Sequence, residues 1–137
     1  MALICDTGPL LAALDAADPD HKTCARLITD SLEDLIVPTL VLAEVDYWCS
    51  RRLPPKAWLI FLDDVLNGAY QVEPITGADL ARCRELQTRY SDLTLGVVDA
   101  SVVALAERLA EPKIATLDQR HFRAVRPAHV ASFELLP

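Results

Sequence analysis

Four carboxylates in this chain stand where an α/β protein would gather them. Asp6 ends the apolar run Ala2–Cys5, and Asp118 ends the run Lys113–Leu117. Glu44 lies one to two turns into the helical stretch after Leu35–Val37, and Asp99 interrupts the otherwise apolar Val97–Val103. A charge inside such a run is costly unless something compensates it. Carboxylates brought together repel one another and resist ionisation, and a divalent cation resolves that conflict. Mg²⁺ and Mn²⁺ take oxygen ligands and keep several waters, which leaves room for a phosphate. Such an ion acidifies a bound water and takes up charge on a phosphoryl oxygen. The chemistry expected of this cluster is phosphodiester hydrolysis by in-line attack of ion-activated water.

Each carboxylate also has a plainer role. Asp6 could cap a helix, Glu44 could be an exposed helix charge, Asp99 suits a first turn, and Asp118 suits an Asx-turn. Asp92, in a loop, is a further acidic candidate. Thr116 shares a strand face with Asp118 and is placed to orient a carboxylate, while Thr7 is expected to cap the helix that it opens. Arg120 and His121 follow Asp118 and stand within reach of a substrate phosphate. Arg51 and Arg52, with Lys56, form the densest basic cluster.

The elements that must position these groups alternate. Ala2–Cys5 reads as a strand buried on both faces, stopped by Asp6-Thr7-Gly8-Pro9. Helical pattern follows through Leu10, Leu11 and Leu14, then through Cys24, Leu27, Ile28 and Leu32. Leu35–Val37 is a second strand. Helices are expected over 39–52 and 56–66, a third strand over Tyr70–Val72 with Ile75, and helices from Thr76 to about Arg89 and over Val97–Leu109. Lys113–Leu117 is a fourth strand, and Val130–Phe133 a fifth. This alternation predicts a three-layer α/β/α domain with a central, mostly parallel sheet of about five strands. Ligands in such sheets bind beyond the carboxyl ends of the strands, where Asp6 and Asp118 fall.

Length and composition agree with one domain over 1–137: 137 residues, 52% hydrophobic and 24% charged, with no repeat or linker. A net charge of −7 argues against binding nucleic acid by bulk charge. A bound cation at the acidic cluster, a basic partner or a local basic rim would reconcile it with a phosphodiester substrate. Aromatic content is 6%, so no base-stacking platform is evident. The four cysteines, Cys5, Cys24, Cys49 and Cys83, lack zinc-ligand or disulfide spacing, and reduced thiols in a cytoplasmic protein are expected. Neither a signal peptide nor a membrane span is expected.

Taken in order, these segments resemble the PIN-domain family. Ile4-Cys5-Asp6-Thr7-Gly8-Pro9, Val37-Pro38-Thr39 with Ala43-Glu44-Val45, Asp92 through Asp99-Ala100, and Thr116-Leu117-Asp118-Gln119-Arg120-His121-Phe122 carry the resemblance. They span essentially the whole chain. No single motif is strong, but four in the right order are. The resemblance implies a Mg²⁺ or Mn²⁺ site formed by Asp6, Glu44, Asp99 and Asp118, and endoribonuclease activity on single strands. The size resembles VapC toxins of type II toxin–antitoxin systems, which implies a VapB-like antitoxin partner and a homodimer. The alternative is a catalytically inactive PIN-like domain whose acidic groove only binds a partner. An aspartic protease, suggested by Asp-Thr-Gly alone, would be β-rich, and a phosphoacceptor receiver module would need an acidic pair at strand one.

Overall fold

The apolar run that opens the chain becomes β1 (Ala2–Cys5), and all four of its residues are buried. The computed structural model describes residues 1–137. After β1 come α1 (Thr7–Leu14), α2 (His21–Thr29), β2 (Asp34–Pro38), α3 (Thr39–Arg52), α4 (Lys56–Leu66) and β3 (Gln71–Glu73). Then follow α5 (Gly77–Arg89), a 3₁₀ turn (Ser91–Leu93), α6 (Val97–Leu109), β4 (Lys113–Ala115), α7 (Gln119–Ala124) and β5 (Glu134–Leu136). The sheet has five strands in the order β3-β2-β1-β4-β5. Every neighbouring pair is parallel, so the sheet is wholly rather than mostly parallel.

Burial explains β1 and the apolar middle of α6. β1 lies at the centre of the sheet, between β2 and β4, so neither of its faces meets water. In α6 every residue from Ala100 to Ala106 is buried, as a helix apolar on all sides requires. α6 is tied to α5 by charge. Thr76 and Asp79 form a reciprocal capping box at the start of α5. The Arg108 guanidinium donates to Asp79 at 3.1 and 3.2 Å and to Glu73 at 3.0 Å. These bonds hold the Asp79 carboxyl below its ordinary pKa against the opposing effect of burial. All four cysteines are free and buried.

Four sequence expectations need correction, the first being that α2 ends at Thr29, leaving Leu32 exposed beyond it. The fifth strand lies at Glu134–Leu136, not Val130–Phe133. Phe133 is apolar because it packs edge-on against Phe122, 6.4 Å between ring centres, whereas the ladder forms one step later, from Glu134 N to Pro112 O at 2.9 Å. The fourth strand stops at Ala115, and Thr116 to Asp118 is a turn leading into α7, a helix the sequence pattern did not reveal. The third strand begins at Gln71. Tyr70 is buried just before it, with its ring 5.2 Å from that of Phe61.

Candidate active site

The chain reverses its direction across the sheet at β1: β2 and β3 lie on one side, β4 and β5 on the other. A crevice opens at the carboxyl ends of strands at such a switch point. Asp6 leaves β1 at that point, and its N–H donates to Ala115 O at 2.9 Å, which carries the pairing with β4 one residue further. Asp6 stands at the N-cap position of α1, yet its side chain makes no capping bond. Its Oδ2 instead accepts from the Thr116 hydroxyl at 2.9 Å. The same hydroxyl oxygen accepts from Asp118 N–H at 3.0 Å, as in a local Ser/Thr turn. One buried hydroxyl therefore links Asp6, just after β1, with Asp118, in the turn between β4 and α7. Gly8 admits a close approach here, since a Cβ on it would lie 3.2 Å from Leu117 Cβ.

Two helices bring further acids. Glu44 rises from α3 and Asp99 from the first turn of α6. Both line, with Asp6 and Asp118, a cleft of about 680 Å³. From α7, His121 places Nδ1 3.0 Å from Asp99 Oδ2 and 2.9 Å from Asp118 Oδ2. Donor atoms of Asp99, Asp118 and His121 all lie within 4.8 Å of one another, although His121 does not itself line the cleft and reaches it through these two acids.

The electrostatics are those of an incomplete charge set. Burial, aided by Asp99 and Glu44, pushes the Asp6 carboxyl up to about 7, although the Thr7 N–H and the Thr116 hydroxyl favour its charged form. Burial also raises Asp99, with Asp118 and Glu44 adding to the shift and His121 opposing it. Two acids thus ionise only at a cost that a cation in the cleft would offset. Thr7, only 5% exposed, lines the same cleft, and its hydroxyl has no hydrogen-bond partner. It is the first helical residue rather than the cap, so the capping expected of it does not occur. A set of carboxylate oxygens beside a spare hydroxyl suits a hard divalent ion.

The remaining candidates divide. Arg52 lines the cleft with its guanidinium 4.3 Å from the centre of the Trp48 ring. Arg51 lies over Tyr47 instead, at 4.5 Å, and does not line the cleft. Asp92 is exposed in the 3₁₀ turn, and Arg120 is exposed on α7; neither lines it. Sequence reasoning missed Trp48 as a cleft residue. Its signal was the spacing Glu44, Trp48, Arg52, which puts all three on one helical face. If the cleft takes RNA, Arg52→Ala weakens oligonucleotide binding roughly 5- to 10-fold and lowers the salt slope by about one, whereas Arg51→Ala changes binding less than about twofold. Fluorescence anisotropy across a salt series reads both; equal effects would remove the distinction drawn from the cleft.

The family model described as PIN domain matches residues 3–127. The chain belongs to the PIN-domain family. Ribonuclease VapC26 of Mycobacterium tuberculosis is 37% identical to this PIN domain over 135 residues, 98% of the chain and 100% of the relative. Among solved structures, VapC20 of Mycobacterium tuberculosis, a sarcin–ricin loop cleaving toxin, matches with a TM-score of 0.76 at 21% identity, covering 82% of this chain and 86% of that one. VapBC2 from Rickettsia felis, bound to a DNA fragment from its promoter, matches with a TM-score of 0.73 at 16% identity over 100% of both chains. At these identities the structures share the fold with this PIN domain, whose parallel sheet and flanking helices they repeat. No helix is long and apolar enough to cross a membrane.

Proposed function

We propose that residues 1–137 act as one domain, an endoribonuclease that uses Mg²⁺ or Mn²⁺ and serves as the toxin of a type II toxin–antitoxin pair. The observation that carries this reading is the meeting of Asp6, Glu44, Asp99 and Asp118 along one cleft at the switch point of the sheet. The 37% identity to a ribonuclease over nearly the whole chain supports the substrate class.

Asp6, Asp99, Glu44 and Asp118 hold the ion. When bound, the ion supplies an acidified water and takes up charge on the phosphoryl oxygen. Thr116 keeps Asp6 and the Asp118 backbone in register through its two hydrogen bonds. Arg52, exposed at the cleft, attracts the phosphate backbone into a cleft whose other charges are negative, and its guanidinium rests over the Trp48 ring. Asp92, Arg51 and Arg120 stand outside the cleft and at most serve flanking RNA.

A VapB-like antitoxin would neutralise the enzyme, and a basic segment fits an acidic groove on a chain of net charge −7. Exposed Tyr47, Leu59 and Ile60 on α3 and α4 supply apolar surface for a homodimer.

The test is cleavage of labelled total RNA by folded, antitoxin-free protein with Mg²⁺, with Mn²⁺ and with EDTA, beside Asp99→Asn. Discrete cuts appear with either ion and vanish with EDTA or with Asp99→Asn. No cut in any ion would sink the ribonuclease reading and leave a PIN-like domain that only binds.

A further inference from the structure

Building on the ion-dependent reading above, we propose that His121 is a nitrogen ligand of the ion held at this cleft, and that it biases the site toward Mn²⁺ over Mg²⁺. Its Nδ1 lies 3.0 Å from Asp99 Oδ2 and 2.9 Å from Asp118 Oδ2. A single imidazole nitrogen carries at most one proton, so it cannot give a full hydrogen bond to both carboxylates. Neighbouring donors around an octahedral ion roughly 2.1 Å from each lie about 3 Å apart, the spacing seen between Nδ1 and each carboxylate oxygen.

The ring is well placed to keep that position. His121 sits within α7, and the next residue, Phe122, is buried against Phe133. A backbone bond from Val125 N to His121 O at 3.2 Å closes the helix over it. A second observation points to a ligand independently of the acids. The Thr7 hydroxyl, buried and without a partner, lines the cleft that also holds Asp99 and Asp118.

A mixed nitrogen and oxygen set changes which ion fits. Mg²⁺ strongly prefers oxygen donors and gives up water reluctantly. Imidazole suits first-row transition ions; Mn²⁺ shares much of the oxygen preference of Mg²⁺ but, as the first member of that series, takes a nitrogen donor more readily than Mg²⁺ does. Asp6, Glu44, Asp99 and Asp118 alone would leave the two ions close in preference; one nitrogen separates them.

Pulsed electron paramagnetic resonance on Mn²⁺ bound to the 137-residue chain tests the assignment. A directly coordinated nitrogen is expected, and its coupling changes to the ¹⁵N pattern in protein grown with ¹⁵N-labelled histidine. This measurement needs no variant, so it stands even if a substitution fails to fold. Calorimetry on His121→Asn then reads the preference. Mn²⁺ affinity falls by about 10-fold or more while Mg²⁺ affinity stays within about threefold. Bound Mn²⁺ without nitrogen coupling, or equal weakening of both ions, overturns the role of His121 and leaves the ribonuclease reading standing. No divalent binding by folded wild-type protein overturns both.

Discussion

Asp6→Asn abolishes RNA cleavage while making the ion-free protein more stable at pH 8. Both effects follow from one buried carboxyl. Asparagine keeps the size of Asp6 and an acceptor for the Thr116 hydroxyl, so the junction of β1 with α1 survives. What it removes is a charge the cleft can hold only with help. The Asp6 carboxyl is pushed up to about 7, chiefly by burial, whereas an unfolded aspartate titrates near 4. Between those values the folded chain binds a proton that the unfolded chain has lost. Stability of the ion-free protein therefore falls as pH rises from about 4 to about 7, and the penalty is complete above that. Its size is on the order of 4 kcal/mol for a shift of this extent.

Asp6→Asn should flatten that slope, and its melting temperature without ions should exceed that of the parent at pH 8. Adding Mg²⁺ or Mn²⁺ should stabilise the parent and affect the variant far less, because only the parent gains a partner for the charge. Cleavage should fall by at least roughly 10²–10³-fold, the cost of losing a main electrostatic group at a reacting centre. Melting curves from pH 5 to pH 8, with and without ions, check the stability arm. A variant less stable than the parent at pH 8 would mean that Asp6 earns its place by folding, not by holding a cation.

Much of this arrangement was legible in the residues, for definable reasons. β1 and α6 were readable because each is buried on every side, and a buried element must be continuously apolar. The same rule exposed Asp99, a part-buried charge in an otherwise apolar stretch, although a first-turn carboxylate also suits the helix dipole. Asp6 and Asp118 were legible because strand ends on a parallel sheet face one edge. What escaped was short or local. α7 has six residues and β5 three, too few for a period to show. Phe133 imitated a strand residue because burial against Phe122 and burial in a ladder demand the same side chain. His121 read as a surface group near phosphate because nothing in its sequence neighbours reveals that α7 turns it back onto Asp99, 22 positions away. Thr7 read as a cap because Thr before a helix usually is one; here the helix starts on it.

The link through Thr116 leads to the second large effect. Its hydroxyl gives its one proton to Asp6 Oδ2 and accepts from Asp118 N–H, and the residue is fully buried. Thr116→Val preserves the shape and the β-branch but deletes both bonds. Asp118 N–H lies at a part-exposed turn and can turn to water, so loss of that bond costs only about 1 kcal/mol. Asp6 has no such recourse. Without the hydroxyl its charged form loses a donor, which drives its pKa further up and extends the fall in stability to higher pH than in the parent. Asp118 loses its fixed place relative to Asp6 at the same time. Ion affinity, read as the shift in melting temperature with added Mn²⁺, should weaken roughly 10- to 100-fold, the usual scale for groups that orient ligands. Cleavage should fall with it and recover in part at high ion concentration, a recovery that Asp6→Asn cannot show. Thr116→Ser restores both bonds and should restore both readouts. If Thr116→Val binds ions and cuts RNA like the parent, then the carboxylates are held by the sheet alone and the shared hydroxyl is incidental.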